Sequence, residues 1–562
     1  PGRTHGHHTA SAMLSVESYD LSGDASVYPD QLAHTEPWQP SRIFFNTSWW
    51  FYGSREAFAE ADKSNMVAVD VGTYLPKRGV SVPEIAAVSR SQHKSQGFGS
   101  SGTRGSLEEY LELVKGTMPK NATDPFEGIN TTWTRVAGGE PIGKAVAQAI
   151  RDFNFDRPEE SLPQLLRIRD MIQKLEEGHW RSIKLQEIEQ LIEGTMGLFL
   201  EAVAKESYAT PGETIQLELE AINRSNVALQ LKSVTLLPLA QEIPLNQDLT
   251  FNQGFEHEME ATLPADFPTS NAYWLNQSGS LGMYTVEDQL LRGMPETPPQ
   301  LRAQFELELK DAKTGKIQSL TLVKPVVFKK TDPVEGELYS PFEVTPEVFV
   351  GLSEKVFIFS DDAEQDISVK VIAGKADLSG TIELCHPEGW RAEPKYYDFE
   401  LARKDQEATF KFKLFPPNGQ AEGQIVPQAR VGARTYIDNR VEIVYDHIPK
   451  QTLVLDASAK VVRLNIKKYG EKIGYLMGAG DDIPQALEQI GYQVSILEDR
   501  DMNAEYLSQF DAVILGIRAY NTLDRMPNYQ PALMKYVEDG GTMIVQYNTN
   551  RRLKVAMEEL AP

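Results

Sequence analysis

The sequence predicts a multidomain protein of mixed class, α/β at its two ends and β in its middle. Three observations predict it. Strand-like and helix-like runs alternate over residues 1–116 and again after Pro449, and apolar residues recur at helical spacing between residues 140 and 203. From Pro211 the period drops to two, and it stays there to residue 447. At roughly 100–200 residues per domain, the chain holds about four domains. A hydrophobic content of 41% supplies packed cores and argues against wholesale disorder.

In order along the chain, residues 42–46 and 66–71 read as strands, the second almost wholly apolar and so buried on both faces. Residues 54–63 between them are a loop or a short helix. Residues 83–90 open on Pro83 and carry Ile85, Ala86 and Val88, the pattern of a helix. Residues 107–114 are predicted as another short helix, stopped by Gly116. Strands alternating with helices imply an α/β layer. A loop rich in Gly, Pro, Asn and Thr follows, from 116 to 139.

Residues 140–203 are predicted helical. Leu165, Ile168, Ile172 and Leu175 form one stripe and Leu185, Ile188, Ile192 and Phe199 a second, which reads as a helical pair packed on a neighbouring domain. Past Pro211, Ile215, Leu217, Leu219 and Ala221 alternate with Gln216, Glu218 and Glu220, a strand with one wet face. Short strands separated by turns continue to residue 330. A second block, with runs at 367–371 and 410–414 and the turn Pro416-Pro417-Asn418-Gly419, extends to residue 447. The two blocks read as β-sandwich modules in series, Ig-like in class.

After Pro449 a strand at 472–477 leads to the turn Gly478-Ala479-Gly480 and the helix start Asp481-Asp482-Ile483-Pro484. Ala486, Leu487 and Ile490 carry the buried face to Gly491, a C-terminal stop. Strands at 493–497, 512–515 and 542–546 and a helix around 531–537 complete a β-α-β-α-β series, a doubly wound parallel sheet. The predicted domains are therefore 1–116, 117–205, 206–332, 333–450 and 451–562. The chain ends soon after the last strand, which leaves open whether that domain is complete.

The formal net charge is −24, from 80 acidic and 56 basic residues, which argues against a nucleic-acid-binding surface. A neutral sugar, a cationic group or a protein partner fits better. The single cysteine, Cys385, excludes an intrachain disulfide and a thiolate metal cluster. No apolar run reaches the roughly 18–20 residues of a membrane-spanning helix. The chain has no initiator Met and opens inside a motif, so it reads as a fragment or a processed product.

That motif is Thr4-His5-Gly6-His7-His8-Thr9-Ala10-Ser11, which holds three of the nine histidines just ahead of a helix start. Imidazole is the commonest protein ligand for zinc and a proton carrier near neutral pH. Three histidines near a terminus are equally the signature of a solvent-exposed tract. His5 and His8 supply at most two of the three protein ligands a catalytic zinc needs.

Thr4 to Ser11, with Tyr28-Pro29-Asp30-Gln31 and Pro37-Trp38-Gln39-Pro40, resembles the C-terminal half of a PIG-L/LmbE-like deacetylase domain. Val69-Asp70-Val71-Gly72 and Ser89-Arg90-Ser91-Gln92-His93-Lys94-Ser95-Gln96-Gly97-Phe98-Gly99 are similar to the long bacterial members of that family. The resemblance implies a partial Rossmann-like domain, with His8 as a Zn2+ ligand and His5 as the oxyanion-stabilising or acid residue. Gly6 and His7 stand where the family has Pro-Asp, so His7 has no implied role. The family's early His-Pro-Asp-Asp motif, source of two further ligands and the general base, does not occur in this chain. Cys385-His386-Pro387-Glu388-Gly389 is the nearest string and reads as a turn. The remaining zinc ligands are then expected upstream. The activity implied for the intact protein is hydrolysis of the N-acetyl group of N-acetylglucosamine-type sugars, and a chain without that half-site is implied to be inactive alone.

Arg90, His93 and Lys94 sit in a polar, glycine-rich loop that either lines a substrate site or is merely solvated. The last domain resembles a flavodoxin-like or glutamine-amidotransferase-like sheet, whose site would need a nucleophilic cysteine that the domain lacks. Arg518, after its third strand, is a pocket-lining candidate. A different class of function competes: a non-catalytic carbohydrate-binding or scaffold subunit of a bacterial envelope assembly. Envelope location and a protein partner are analogies from family architecture.

Overall fold

The computed structural model describes residues 5–310, 317–445, 448–556 and 558. The chain is a mixed α/β protein, with many sheets and few helices, that divides into two compact units. One is Pro1–Met196 with Glu287–Met294, the other Gly197–Val286 with Pro295–Pro562. Among the described residues no helix is long and apolar enough to cross a membrane.

The first unit opens with α1 (Gly6–Leu21), followed by β1 (Arg42–Thr47), α2 (Arg55–Glu60), β2 (Met66–Asp70), α3 (Val82–Ser91) and β3 (Glu108–Gly116). The three strands form one sheet in the order β1-β3-β2, antiparallel at both pairings. β3 corrects the expectation of a helix at 107–114. Leu107, Leu111 and Val114 do have helical spacing, and Glu and Leu favour helices, but pairing on both edges gives this segment a full ladder of hydrogen bonds. β2 also departs from expectation. Only Met66 and Val67 are buried, while Ala68 and Val69 are half-exposed, because the sheet is three strands wide and α1 buries none of its residues.

Asp70 latches the end of β2 to the start of β3. Its carboxylate accepts from the Leu107 amide (2.9 Å), the Gly72 amide (2.8 Å) and the Ser106 hydroxyl (2.8 Å). Those bonds, led by Leu107, hold its carboxyl below the usual range. Gly72 is required by space, since a Cβ there would lie 2.0 Å from the Gly105 carbonyl oxygen. α3 begins with a reciprocal capping box between Ser81 and Glu84.

Three helices rather than two follow: α4 (Glu140–Asp152), α5 (Leu162–Gln173) and α6 (His179–Thr195). The predicted stripe residues Leu165, Ile168, Ile172, Ile188 and Ile192 are buried. Helix does not run on to 203. Gly197, at φ +56°, terminates it, and Phe199–Ala204 is a strand.

That strand belongs to the first β-module of the second unit. It lies in an eight-stranded sheet, parallel to Ile317–Asp332 and antiparallel to Thr214–Ile222. The alternation read in the latter is the observed one, with Ile215, Leu217, Leu219 and Ala221 buried. In the second module a four-stranded and a six-stranded sheet share one core, to which Ile367, Val369, Val371, Phe412 and Leu414 all contribute. This module does not stop at 450. Ile448–Asp456 pairs with Asp438–Tyr445, and Ala459 and Val461 lie in the same core.

Several contacts tie the modules together. Tyr208–Ala209 pairs in parallel with Glu343–Val344. Asp405 accepts from the Tyr208 hydroxyl (2.6 Å) and from Arg440 (2.8 Å), whose guanidinium lies 5.0 Å from the centre of the Phe349 ring. The Asn271 side chain donates to the Val454 carbonyl (2.9 Å) and accepts from the Val454 amide (3.2 Å).

The C-terminal part is the predicted parallel sheet. Its strands β4 (Lys472–Leu476), β5 (Gln493–Ile496), β6 (Ala512–Leu515) and β7 (Met543–Val545) lie in the order β5-β4-β6-β7, parallel throughout. Helices α7 (Ile483–Gln489), α8 (Ala504–Leu507), α9 (Ala519–Thr522) and α10 (Met526–Glu538) connect them. α10 starts five residues before Pro531, which sits inside it.

Candidate functional site

His5 is the N-cap of α1, and His8 lies on its first turn. Their rings face one another edge to face with centroids 6.1 Å apart, as spacing of three residues on a helix requires. Both imidazoles are exposed, and so is His7. Thr4, the first residue of the motif, lies outside the described residues. The far end of α1 is the anchored one. Asp20 pairs with Lys115, the Tyr19 carbonyl accepts from Gln39 (2.8 Å), and the Ser22 carbonyl accepts from the Trp38 amide (2.8 Å). At 1.5 Å rise per residue, the histidines stand about 20 Å along the helix from that anchor.

Two imidazoles do not complete the donor set of a catalytic zinc. Among the described residues, no group of three or more His, Cys, Asp or Glu side chains is placed to hold a metal ion.

Arg90, in the last turn of α3, and His93, just past it, both meet Phe98. The guanidinium lies 5.1 Å from the ring centre and the imidazole centroid 6.3 Å away. Lys94 opens the short 3-10 turn that follows. All four side chains are exposed, and the ring of Phe98 carries Arg90 and His93 on it. Among the described residues no hydrogen bond or ring contact joins this group to His5 or His8.

Val69-Asp70-Val71-Gly72 is a structural element, since Asp70 spends its acceptors on the latch described above. Cys385 ends a strand, is half-buried and is raised in pKa first by burial and then by Glu383. His386 to Gly389 form the expected turn.

A polar constellation that sequence reasoning did not single out lies at the carboxyl ends of the adjacent strands β4 and β6. Asp481 accepts from the Tyr475 hydroxyl (2.5 Å) and from the amides of Ile483 (3.1 Å) and Ile517 (3.2 Å), and Gln546 donates to the same hydroxyl (2.7 Å). Burial, then Asp481, raises the Tyr475 phenol. A glycine-flanked aspartate after a strand, Gly478-Ala479-Gly480-Asp481, is the signal that marks it. Arg518, next to it in the fold, is exposed and holds φ +59°, a conformation that costs a non-glycine residue about 1 kcal/mol or more. The two strand ends stay close there: the Ala479 amide donates to the Ile517 carbonyl (2.8 Å), and a Cβ on Gly478 would lie 2.2 Å from the same oxygen.

No family model and no curated protein matches the chain. Among solved structures, red sea bream transglutaminase is similar at 11% identity and a TM-score of 0.20, over 51% of this chain and 34% of that one. A protein of unknown function from Porphyromonas gingivalis W83 is similar at 10% identity and 0.13, over 48% of this chain and 99% of that one. E. coli alpha-2-macroglobulin is similar at 12% and 0.16, over 47% and 16%. This chain thus spans about a third of the transglutaminase, and scores this low carry no argument about fold or activity.

Proposed function

We propose that residues 1–116 carry the late half of a PIG-L/LmbE-like N-deacetylase site, with accessory domains after it. On this reading the β-modules are Ig-like sandwiches and the C-terminal sheet is flavodoxin- or amidotransferase-like. β1, β2 and β3 are antiparallel, so the Rossmann-like parallel core would lie beside them rather than among them. The reaction is zinc-dependent removal of the N-acetyl group from N-acetylglucosamine-type sugars, at a bacterial envelope.

The observation that carries this reading is the pair of exposed imidazoles on one face of α1's first turn, 6.1 Å apart. His8 is assigned to the metal and His5 to the developing oxyanion, with Arg90, His93 and Lys94 contacting sugar hydroxyls. The third ligand and the carboxylate base belong to the family's His-Pro-Asp-Asp segment, and no chemical step is assigned to this chain alone. The test is deacetylation of a chitin trisaccharide by the full-length protein with zinc. Loss of activity in His8→Ala supports the assignment, and an unaffected rate refutes it.

A second reading, a non-catalytic carbohydrate-binding or scaffold subunit with a protein partner, has one observation in its favour. Among the described residues, neither the His5 nor the His8 ring donates to a carboxylate or carbonyl, the contact that usually orients a metal-bound imidazole.

A further inference from the structure

The two β-modules of the second unit meet along an open groove of about 540 Å³, walled by both. The first module contributes Asp266 and Phe267, and the second contributes Glu347, Arg434, Tyr436 and Asp438. The polar side chains are held in place. Tyr436 donates its hydroxyl to Glu347 (2.7 Å), Lys375 pairs with the same carboxylate, and Arg434 donates to the Ala265 carbonyl across the groove (3.0 Å). Asp266 and Arg434 are exposed, Glu347, Tyr436 and Asp438 are half-exposed, and Phe267 and Pro346 are buried, so the polar groups face a wet cleft with an apolar floor.

We infer that this groove is a binding site for an uncharged, hydroxyl-rich ligand of the saccharide class. Its volume falls within the range of small-molecule sites, and a junction between modules is a common place for one. Its chemistry is two-sided. The carboxylates of Asp266, Glu347 and Asp438 accept, whereas Arg434 carries more N–H donors than its bonds to Ala265 and Tyr436 use. A hydroxyl group both donates and accepts, so a row of them satisfies both kinds of partner. Charge narrows the choice. The carboxylates of Asp266, Glu347 and Asp438, with Asp456 acting on Asp438, outnumber Arg434 and Lys375 and repel an anion, whereas a neutral ligand meets no such penalty. Beside the groove, the buried hydroxyls of Thr210 and Thr345 have no hydrogen-bond partner, and the lining residues Pro211 and Pro346 follow them directly.

The choice of saccharide rests on the carbohydrate reading above, but the site is separate from the histidines. The test is titration of the 562-residue chain with three neutral trisaccharides, chitotriose, cellotriose and maltotriose, followed by saturation-transfer NMR. At least one should bind with a dissociation constant of about 0.1–5 mM, and Tyr436→Phe and Asp438→Asn should each weaken it about tenfold. Both substitutions preserve shape, and an unchanged melting temperature shows that the modules remain folded. Absence of binding by all three sugars at about 10 mM overturns the inference, as does binding indifferent to both substitutions. A full-length protein that deacetylates chitotriose while its affinity ignores the groove substitutions overturns the groove alone. A protein that binds through the groove and shows no deacetylation overturns the enzymatic reading alone.

Discussion

Arg440 sits at the edge of the second β-module, where it bonds to Asp405 and packs on Phe349, and its guanidinium also meets Tyr208 of the first. It is 14% exposed, donates to Asp405, and lies 5.0 Å from the Phe349 ring centre and 5.2 Å from that of Tyr208. Replacing it with methionine keeps the apolar stem and removes the charge. A charge-assisted hydrogen bond contributes about 1.5–3 kcal/mol, but the 52% exposure of Asp405 places this one at about 1 kcal/mol. Each cation–ring contact adds about 0.5–1 kcal/mol. Arg440→Met should therefore destabilise the second module and its junction together by about 2–3 kcal/mol, less whatever methionine regains by packing, with about 0.5–1 kcal/mol of that lost across the junction itself. In urea, with a slope of about 2–3 kcal/mol per molar, the midpoint falls by about 1 M. Trp390, buried in the second module, reports the transition by fluorescence. A midpoint within about 0.2 M of the parent refutes the reasoning. pH adds an independent check. Burial pushes the Asp405 carboxyl up, but the bonds from Tyr208 and Arg440 outweigh it and hold it below its ordinary value. Its contribution is complete above the unfolded carboxylate value of about 4 and is lost as pH falls below that. Asp405→Asn should flatten that acid limb.

A second prediction concerns β2 and a third the parallel sheet. Gly72→Ala puts a methyl 2.0 Å from the Gly105 carbonyl and should destabilise the first unit by about 2 kcal/mol or more, read as a lowered thermal midpoint. A midpoint within error of the parent would mean that the loop yields. Tyr475→Phe leaves Asp481 and Gln546 without the hydroxyl between them and should cost about 1–3 kcal/mol in urea unfolding. Faster hydrogen exchange at the Ile517 amide should accompany it, and unchanged exchange counts against the network.

The parallel sheet could be read from sequence because its punctuation is local. Gly480, Pro484 and Gly491 mark ends that no tertiary contact needed to impose, and the alternation from Ile215 to Ala221 is as direct. Residues 107–114 could not be read that way. A Glu- and Leu-rich run carries a helical preference, and only the neighbouring strands, 40 to 70 residues earlier in the chain, decide otherwise. The same holds for Phe199–Ala204, whose partners include Ile317–Asp332. The histidine pair was visible as spacing, and the helix sets its rings together. Of the Asp481 network only the glycine-flanked aspartate was visible, and the groove was not, since each joins residues that share no motif and meet only through topology.

Asn271 has a consequence of its own. Its amide does for Val454 what a neighbouring peptide group would do, giving a proton to the carbonyl and taking one from the amide. Only a group with both polarities at that reach can do so. Hydrolysis of the side chain to aspartate, the slow spontaneous fate of asparagine, would set a carboxylate oxygen against the Val454 carbonyl and turn attraction into repulsion. The fastening between the modules therefore depends on residue 271 keeping an uncharged amide with both polarities.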